Sequence, residues 1–391
     1  MKAPSSLLSV GGTEEVRASW RVDNSASDVA APLSSGESAG QQHKMAARRL
    51  LWAATCLLGA CSGDQRLVQY EEDIAPVPAR PQHVEGWPRD LPHLGEVSGV
   101  SVNPAGQPVI FHRGPRVWDA SSFNSTNHFQ HVSEGPIPVD TVLVLDPEHG
   151  SVRASWGRSL FYMPHGITIS PRGDMWLTDV ALHQVFKWEP GGVAPSMVFG
   201  QRLQPGSGLG HLCQPTAVAV ASSGVVFIAD GYCNSRVLEF SPQGVLLRVV
   251  PQPPEFLSLH VPHSLALVES LDLLCIADRE NMRVVCPRAG LEGRSRREPP
   301  AVTVQEPDLG RVFAVATCGS YVYAVNGPTS PMIPVRGFTV DPLSESIVDH
   351  WQPTSTALRN PHALAVSPNG SALYVTEIMP NRVLKFALRR G

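Results

Sequence analysis

Short apolar runs recur along the chain at nearly constant spacing. Pro164-His165-Gly166-Ile167-Thr168-Ile169 aligns with Pro215-Thr216-Ala217-Val218-Ala219-Val220, Pro262-His263-Ser264-Leu265-Ala266-Leu267 and Pro361-His362-Ala363-Leu364-Ala365-Val366. Val97-Ser98-Gly99-Val100-Ser101-Val102 is a first copy and Val312-Phe313-Ala314-Val315-Ala316 a degenerate fifth. Their first residues lie 67, 51, 47, 50 and 49 positions apart, the long interval holding an insertion around 115–138. Each run leads through a turn, such as Ser170-Pro171-Arg172-Gly173-Asp174, to a second apolar stretch ending in an acid: Asp179, Asp230, Asp278 or Glu377. A third stretch follows, for example Arg236-Val237-Leu238-Glu239-Phe240. Strands of ~5 residues bounded by turns and repeated every ~50 residues mark propeller blades. The pattern predicts an all-β chain, a six-bladed β-propeller over 85–391. A pair of β-sandwiches has no reason to repeat six times.

Composition narrows this further. Of 391 residues 42% are hydrophobic and 17% charged, with 36 Pro and 33 Gly, which excludes a coiled coil or long helical bundle. A net charge of −4 argues against a nucleic-acid partner, which calls for a basic face. Residues 1–44 are rich in Ser, Ala and Gly without a period and read as a disordered or non-native extension. Met45-Ala46-Ala47-Arg48-Arg49, the apolar run Leu50–Ala60 and the small residues ending at Gly63 read as a secretory signal over 45–63. A lipoprotein-type box ending at Cys61 and a signal anchor are the competing readings. The run is short of the ~20 residues of a membrane span, so no stable span is expected. Residues 64–84, with three prolines, read as a linker.

Cysteine usage agrees with export. Beyond Cys56 and Cys61, five remain, and oxidising compartments favour disulfides. Four cysteines allow three connectivities. Placement on the predicted strands favours Cys213–Cys233 and Cys275–Cys286, leaving Cys318 as a buried thiol. Acceptor sequons occur at Asn124 and Asn369.

The repeat decides which side chains can meet. The first strand of each blade lines the axis, and because strands one and two are antiparallel, the start of one and the end of the other share a mouth. His165, His263 and His362 occupy the same position in blades two, four and six, ~120° apart around a six-fold ring. Three neutral imidazoles with an open fourth position are the donor set of a catalytic zinc. By the same rule Tyr232 of blade three, Arg113 of blade one and Arg279 of blade four reach that mouth. Two guanidiniums facing one cavity suit a carboxylate, and nearby cations are expected to lower the Tyr232 pKa. The competing readings are Pro-His as repeat consensus, Tyr232 as turn filler, and the arginines as ion pairs to acids of neighbouring blades.

The segments Phe111-His112-Arg113-Gly114, Leu160-Phe161-Tyr162-Met163-Pro164-His165-Gly166, Asp230-Gly231-Tyr232-Cys233-Asn234-Ser235-Arg236, Val261-Pro262-His263-Ser264-Leu265-Ala266-Leu267 and Ala277-Asp278-Arg279-Glu280-Asn281 resemble peptidyl-α-hydroxyglycine α-amidating lyase. This is the lyase half of peptidylglycine α-amidating monooxygenase and an NHL-repeat propeller. The likeness runs from about Val84 to Phe386 and is weakest across blade five. It implies cleavage of peptidyl-α-hydroxyglycine to an amidated peptide and glyoxylate, with His165, His263 and His362 as zinc ligands. It also implies Tyr232 as base, with Arg113 and Arg279 engaging substrate and base. The family's structural calcium is held by backbone oxygens matching Val100 and Ile167 and by an Asp after the third zinc histidine. Ala363 stands there instead, so calcium binding is expected to be weakened or lost. Glu377, in place of the usual Asp, is expected to fall short and leave blade six looser.

No copper-hydroxylase segment is seen, so the substrate is expected from a separate peptidylglycine hydroxylase, with this chain a secreted monomer. The alternative functions are a secreted, non-catalytic NHL propeller that binds peptides or glycans and, more weakly, a calcium-dependent lactone hydrolase.

Overall fold

In a computed structural model, residues 77–251, 257–293 and 300–389 are described. The extension, the signal and the linker up to residue 76 lie outside them. The described chain forms six four-stranded antiparallel sheets, with three 3-10 turns as its only helical segments. Five blades are consecutive in sequence: 97–156, 164–199, 217–250, 262–304 and 312–351. The sixth joins Pro361–Val366, Ala372–Glu377 and Arg382–Arg389 to a strand from the other end of the chain, Arg80–His83. Arg80 pairs with Arg389 and His83 with Phe386, and the Tyr323 hydroxyl donates to the Ala79 carbonyl at 2.5 Å. The propeller therefore begins before residue 85, inside the stretch expected to be linker. Pro81 is tolerated because this is an edge strand, where one missing N–H costs no ladder bond.

Six apolar clusters hold the ring, one at each blade boundary. Phe111 and Val142 of blade one meet Phe161, Leu177 and Trp188 at the blade-two boundary. Val315, Ala324 and Phe338 meet Cys275 and Val284 between blades five and four. No blade has a core of its own, because each sheet buries its faces against its neighbours. Inner-strand hydroxyls add links across the same boundaries: Thr168 donates to the Val218 carbonyl at 2.6 Å, Thr216 to Pro262 at 2.7 Å and Thr317 to Leu267 at 2.9 Å.

The acid ending strand two fixes the register of the inner strand. Asp179 accepts from the amides of Tyr162 and Met163 just before Pro164, at 2.7 and 2.9 Å. Asp230 accepts from Cys213, and Asp278 from His260. Glu377 does reach, accepting from the amides of Arg359 and Asn360 at 2.6 and 2.9 Å and from Arg382. Blade six is thus pinned like the others.

Both expected disulfides are present, Cys213–Cys233 and Cys275–Cys286. Cys318 remains a thiol, half-buried rather than buried. Asn124 and Asn369 lie exposed on turns, each accepting a bond from the hydroxyl of its own sequon. No helix among the described residues is long and apolar enough to cross a membrane.

Candidate metal centre and active site

The inner strands bring His165, His263 and His362 together on the axis, with ring centroids 4.8–4.9 Å apart and candidate ligand atoms within 4.8 Å of one another. All three are buried. Each Nδ1 faces a backbone carbonyl of the next blade: Thr216 at 2.8 Å, Phe313 at 2.6 Å and Ser98 at 2.7 Å. A carbonyl can only accept, so Nδ1 carries the proton and the Nε2 lone pair is left for the axis. Burial, then the positive charge of neighbouring groups, pushes all three imidazoles well below their usual range, His362 to about 3. They are neutral at physiological pH. Neutral rings with Nδ1 tied to an acceptor are the form in which histidine binds a metal, and no other cluster of metal-ligand side chains occurs among the described residues.

Tyr232 sits over this group. Its hydroxyl lies 3.0 Å from His165 Nε2, 3.1 Å from His263 Nε2 and 3.5 Å from Arg279 Nη1. Gly231 makes the approach possible, since a Cβ there would meet the Pro262 carbonyl at 2.4 Å. The Cys213–Cys233 bridge fixes the next residue. Burial raises the Tyr232 pKa and outweighs the lowering by Arg279 and Arg113, contrary to the sequence expectation. The cations are near, but taking the phenolate out of water costs more than they return.

Both arginines reach the mouth as expected. The Arg279 guanidinium is stacked between the rings of Tyr232 and Phe313, 5.1 Å from each centroid, and is held by Glu280 at 2.9 Å. Arg113 is fully buried, with Nη1 on Glu96 at 2.5 Å and Nε on the Pro164 carbonyl at 2.9 Å. Its Nη2 has no partner, and an unsatisfied buried donor on a cation is costly unless a ligand takes it. The ion-pair partners are therefore glutamates of the same blades, not acids of neighbouring ones.

Glu96, Glu280, Phe313 and Trp118 were not singled out from sequence. The Trp118 ring lies 4.9 Å from Tyr232 and 6.3 Å from His165. Its place in the only long insertion, five residues after Arg113, was the available signal.

The axial channel, about 310 Å³, is lined by the inner strands and includes Val100, Ile167 and Ala363. These are the positions implied for calcium. Calcium favours an oxygen shell containing carboxylates. The single acid of this lining, Glu269, already accepts from the Ser222 amide and hydroxyl at 2.8 and 2.5 Å, and the hydroxyls of Thr168, Thr216 and Thr317 are spent on neighbouring blades. The described lining thus offers calcium no unengaged carboxylate beside the backbone oxygens of Val100 and Ile167.

Fold and site together define a six-bladed propeller with a three-histidine axial centre. The NHL repeat matches residues 212–240 and 259–286, in blades three and four and the links that lead into them. Peptidyl-alpha-hydroxyglycine alpha-amidating lyase 2 of Drosophila melanogaster is 55% identical over 82% of this chain and 80% of its own length. Peptidylglycine alpha-amidating monooxygenase of Rattus norvegicus is 41% identical over 80% of the chain, which spans only 33% of that longer protein. Among solved structures, a candidate gluconolactonase superposes with a TM-score of 0.52 at 14% identity, covering 80% of this chain and 95% of its own, a likeness of fold alone. The chain belongs to the peptidyl-α-hydroxyglycine α-amidating lyase family.

Proposed function

We propose that this chain cleaves peptidyl-α-hydroxyglycine to a C-terminally amidated peptide and glyoxylate, the second step of peptide amidation. The observation that carries this reading is the Tyr232 hydroxyl, 3.0–3.1 Å from two of the axial imidazoles and beside Arg279. His165, His263 and His362 would hold zinc, which when bound supplies a Lewis acid for the substrate hydroxyl and positive charge beside the phenol. Arg279, and Arg113 through its unpartnered Nη2, receive the carboxylate that becomes glyoxylate's. Tyr232, as the phenolate that the charge of a bound zinc would favour, takes the hydroxyl proton, the O–H pair closes the new C=O, and the C–N bond breaks with its electrons on the amide nitrogen. That nitrogen gains a proton, so Tyr232 is placed to return the one it took.

The two disulfides support work in an oxidising compartment, hence secretion, where Asn124 and Asn369 would be open to glycosylation. The hydroxylated substrate would come from a separate peptidylglycine hydroxylase, with this chain acting as a monomer.

The test is glyoxylate release from benzoyl-α-hydroxyglycine by the secreted full chain, before and after chelation and zinc return. Activity lost and restored with zinc is expected, and no release from folded, zinc-loaded protein refutes the lyase reading. Calcium should behave differently. Adding it to the native chain is expected to leave Tm within about 1 °C, whereas Ala363→Asp, by supplying a carboxylate to the channel, should make Tm rise with calcium by several degrees. Differential scanning fluorimetry reads both.

A further inference from the structure

The insertion of blade one builds a wall that the chemistry above does not use. It leaves the blade directly after Arg113 at Gly114, whose φ of 53° is left-handed and whose carbonyl lies where a Cβ on Gly95 would fall. It then crosses to blade two, where the Ile137 amide donates to the Phe161 carbonyl at 2.8 Å and Phe129 meets Tyr162 edge-on. Within it Trp118 is fixed from several directions. Its amide donates to Glu96, the carboxylate that also holds Arg113, at 3.4 Å. The Arg113 guanidinium lies under its ring, 5.2 Å from the centroid. Phe123 packs on it at 5.3 Å.

Trp118 is nevertheless only partly buried, as are Phe123 and Leu203 of the same apolar cluster, which runs on to Tyr232. The mouth is therefore two-sided. Toward blades four and five it is charged, with Glu280 bridging Arg279 and Arg311 at 2.9 Å each. Toward blades one and two it is an apolar ledge. Arg113, the second group that would bind the carboxylate, lies against this ledge, so a substrate held by both arginines meets the Trp118 face as an apolar surface beside its carboxylate.

We infer that Trp118 is a specificity-determining residue, the accessible part of its side chain receiving the side chain that precedes the hydroxyglycine and favouring large apolar residues there. This rests on the lyase reading, and it adds which peptides are taken. An apolar surface of this kind discriminates by roughly 10–200-fold between side chains differing by a few carbons.

The test compares N-acetyl-Phe-α-hydroxyglycine with N-acetyl-Ala-α-hydroxyglycine on zinc-loaded full chain. The native protein is expected to favour the Phe substrate about tenfold or more in kcat/KM. In Trp118→Ala the preference should fall to about twofold, chiefly through KM of the Phe substrate, and Trp118→Phe should keep most of it. Should Trp118→Ala fail to fold, Trp118→Gln, which keeps a long side chain but loses the apolar face, reads the same ratio. A purely structural role would slow both substrates alike, and an unchanged ratio in an active variant overturns the inference while the lyase reading stands. No glyoxylate from the native chain with either substrate overturns both.

Discussion

Tyr232→Phe is expected to lower kcat for glyoxylate release by about 10³-fold, within the range for loss of a general base, with zinc content and Tm nearly unchanged. The substitution removes one oxygen. The ring that remains still packs against Trp118 and under Arg279, so the wall and the carboxylate-binding group stay in place. What disappears is the only hydroxyl recorded within hydrogen-bond distance of His165 Nε2 and His263 Nε2 among the described residues. KM should therefore change little while kcat collapses. A loss smaller than about tenfold in stopped-time glyoxylate assays would show that another group takes the proton.

His263→Ala is the second large effect. It removes one of three ligands and also leaves the Phe313 carbonyl without its donor at 2.6 Å. Losing only an orienting partner of a metal ligand costs roughly 10–100-fold in metal affinity or activity, and losing the ligand itself should exceed that, leaving activity at background. Zinc measured by atomic absorption after gel filtration should fall well below one per chain. The ring itself should persist, since it is closed at its rim by Arg80–His83 against Arg382–Arg389 and not at the axis. A variant that keeps one zinc per chain and full activity would remove His263 from the site.

The blades and the triad were readable in the sequence because both are periodic. An inner strand that must face the axis keeps its apolar pattern in every copy, and His165, His263 and His362 fall on that pattern at fixed offsets. What escaped was non-periodic or non-local. Arg80-Pro81-Gln82-His83 shows no strand alternation, and its partner lies some three hundred residues away, so only ring closure makes it a strand. Trp118 belongs to the blade-one insertion and Glu96 lies just ahead of the first inner strand, where no repeat fixes direction. The sign of the Tyr232 shift depended on burial, which charge counting along a sequence does not contain. Glu377 was expected to fall short because its reach to the amides of Arg359 and Asn360 is a property of the folded blade.

The links from His165 to Thr216, His263 to Phe313 and His362 to Ser98 each run from an even blade to the odd blade that follows it around the ring. The working module is consequently a tandem of two blades, one presenting a nitrogen and the next holding its ring at the right angle. Three such tandems meet at the axis, so the sixfold architecture operates with threefold function. A blade transplanted alone would arrive with its imidazole unsteered. A pair moved together would carry both the donor and its alignment, which makes the two-blade tandem the natural unit for duplicating, shuffling or rebuilding this centre.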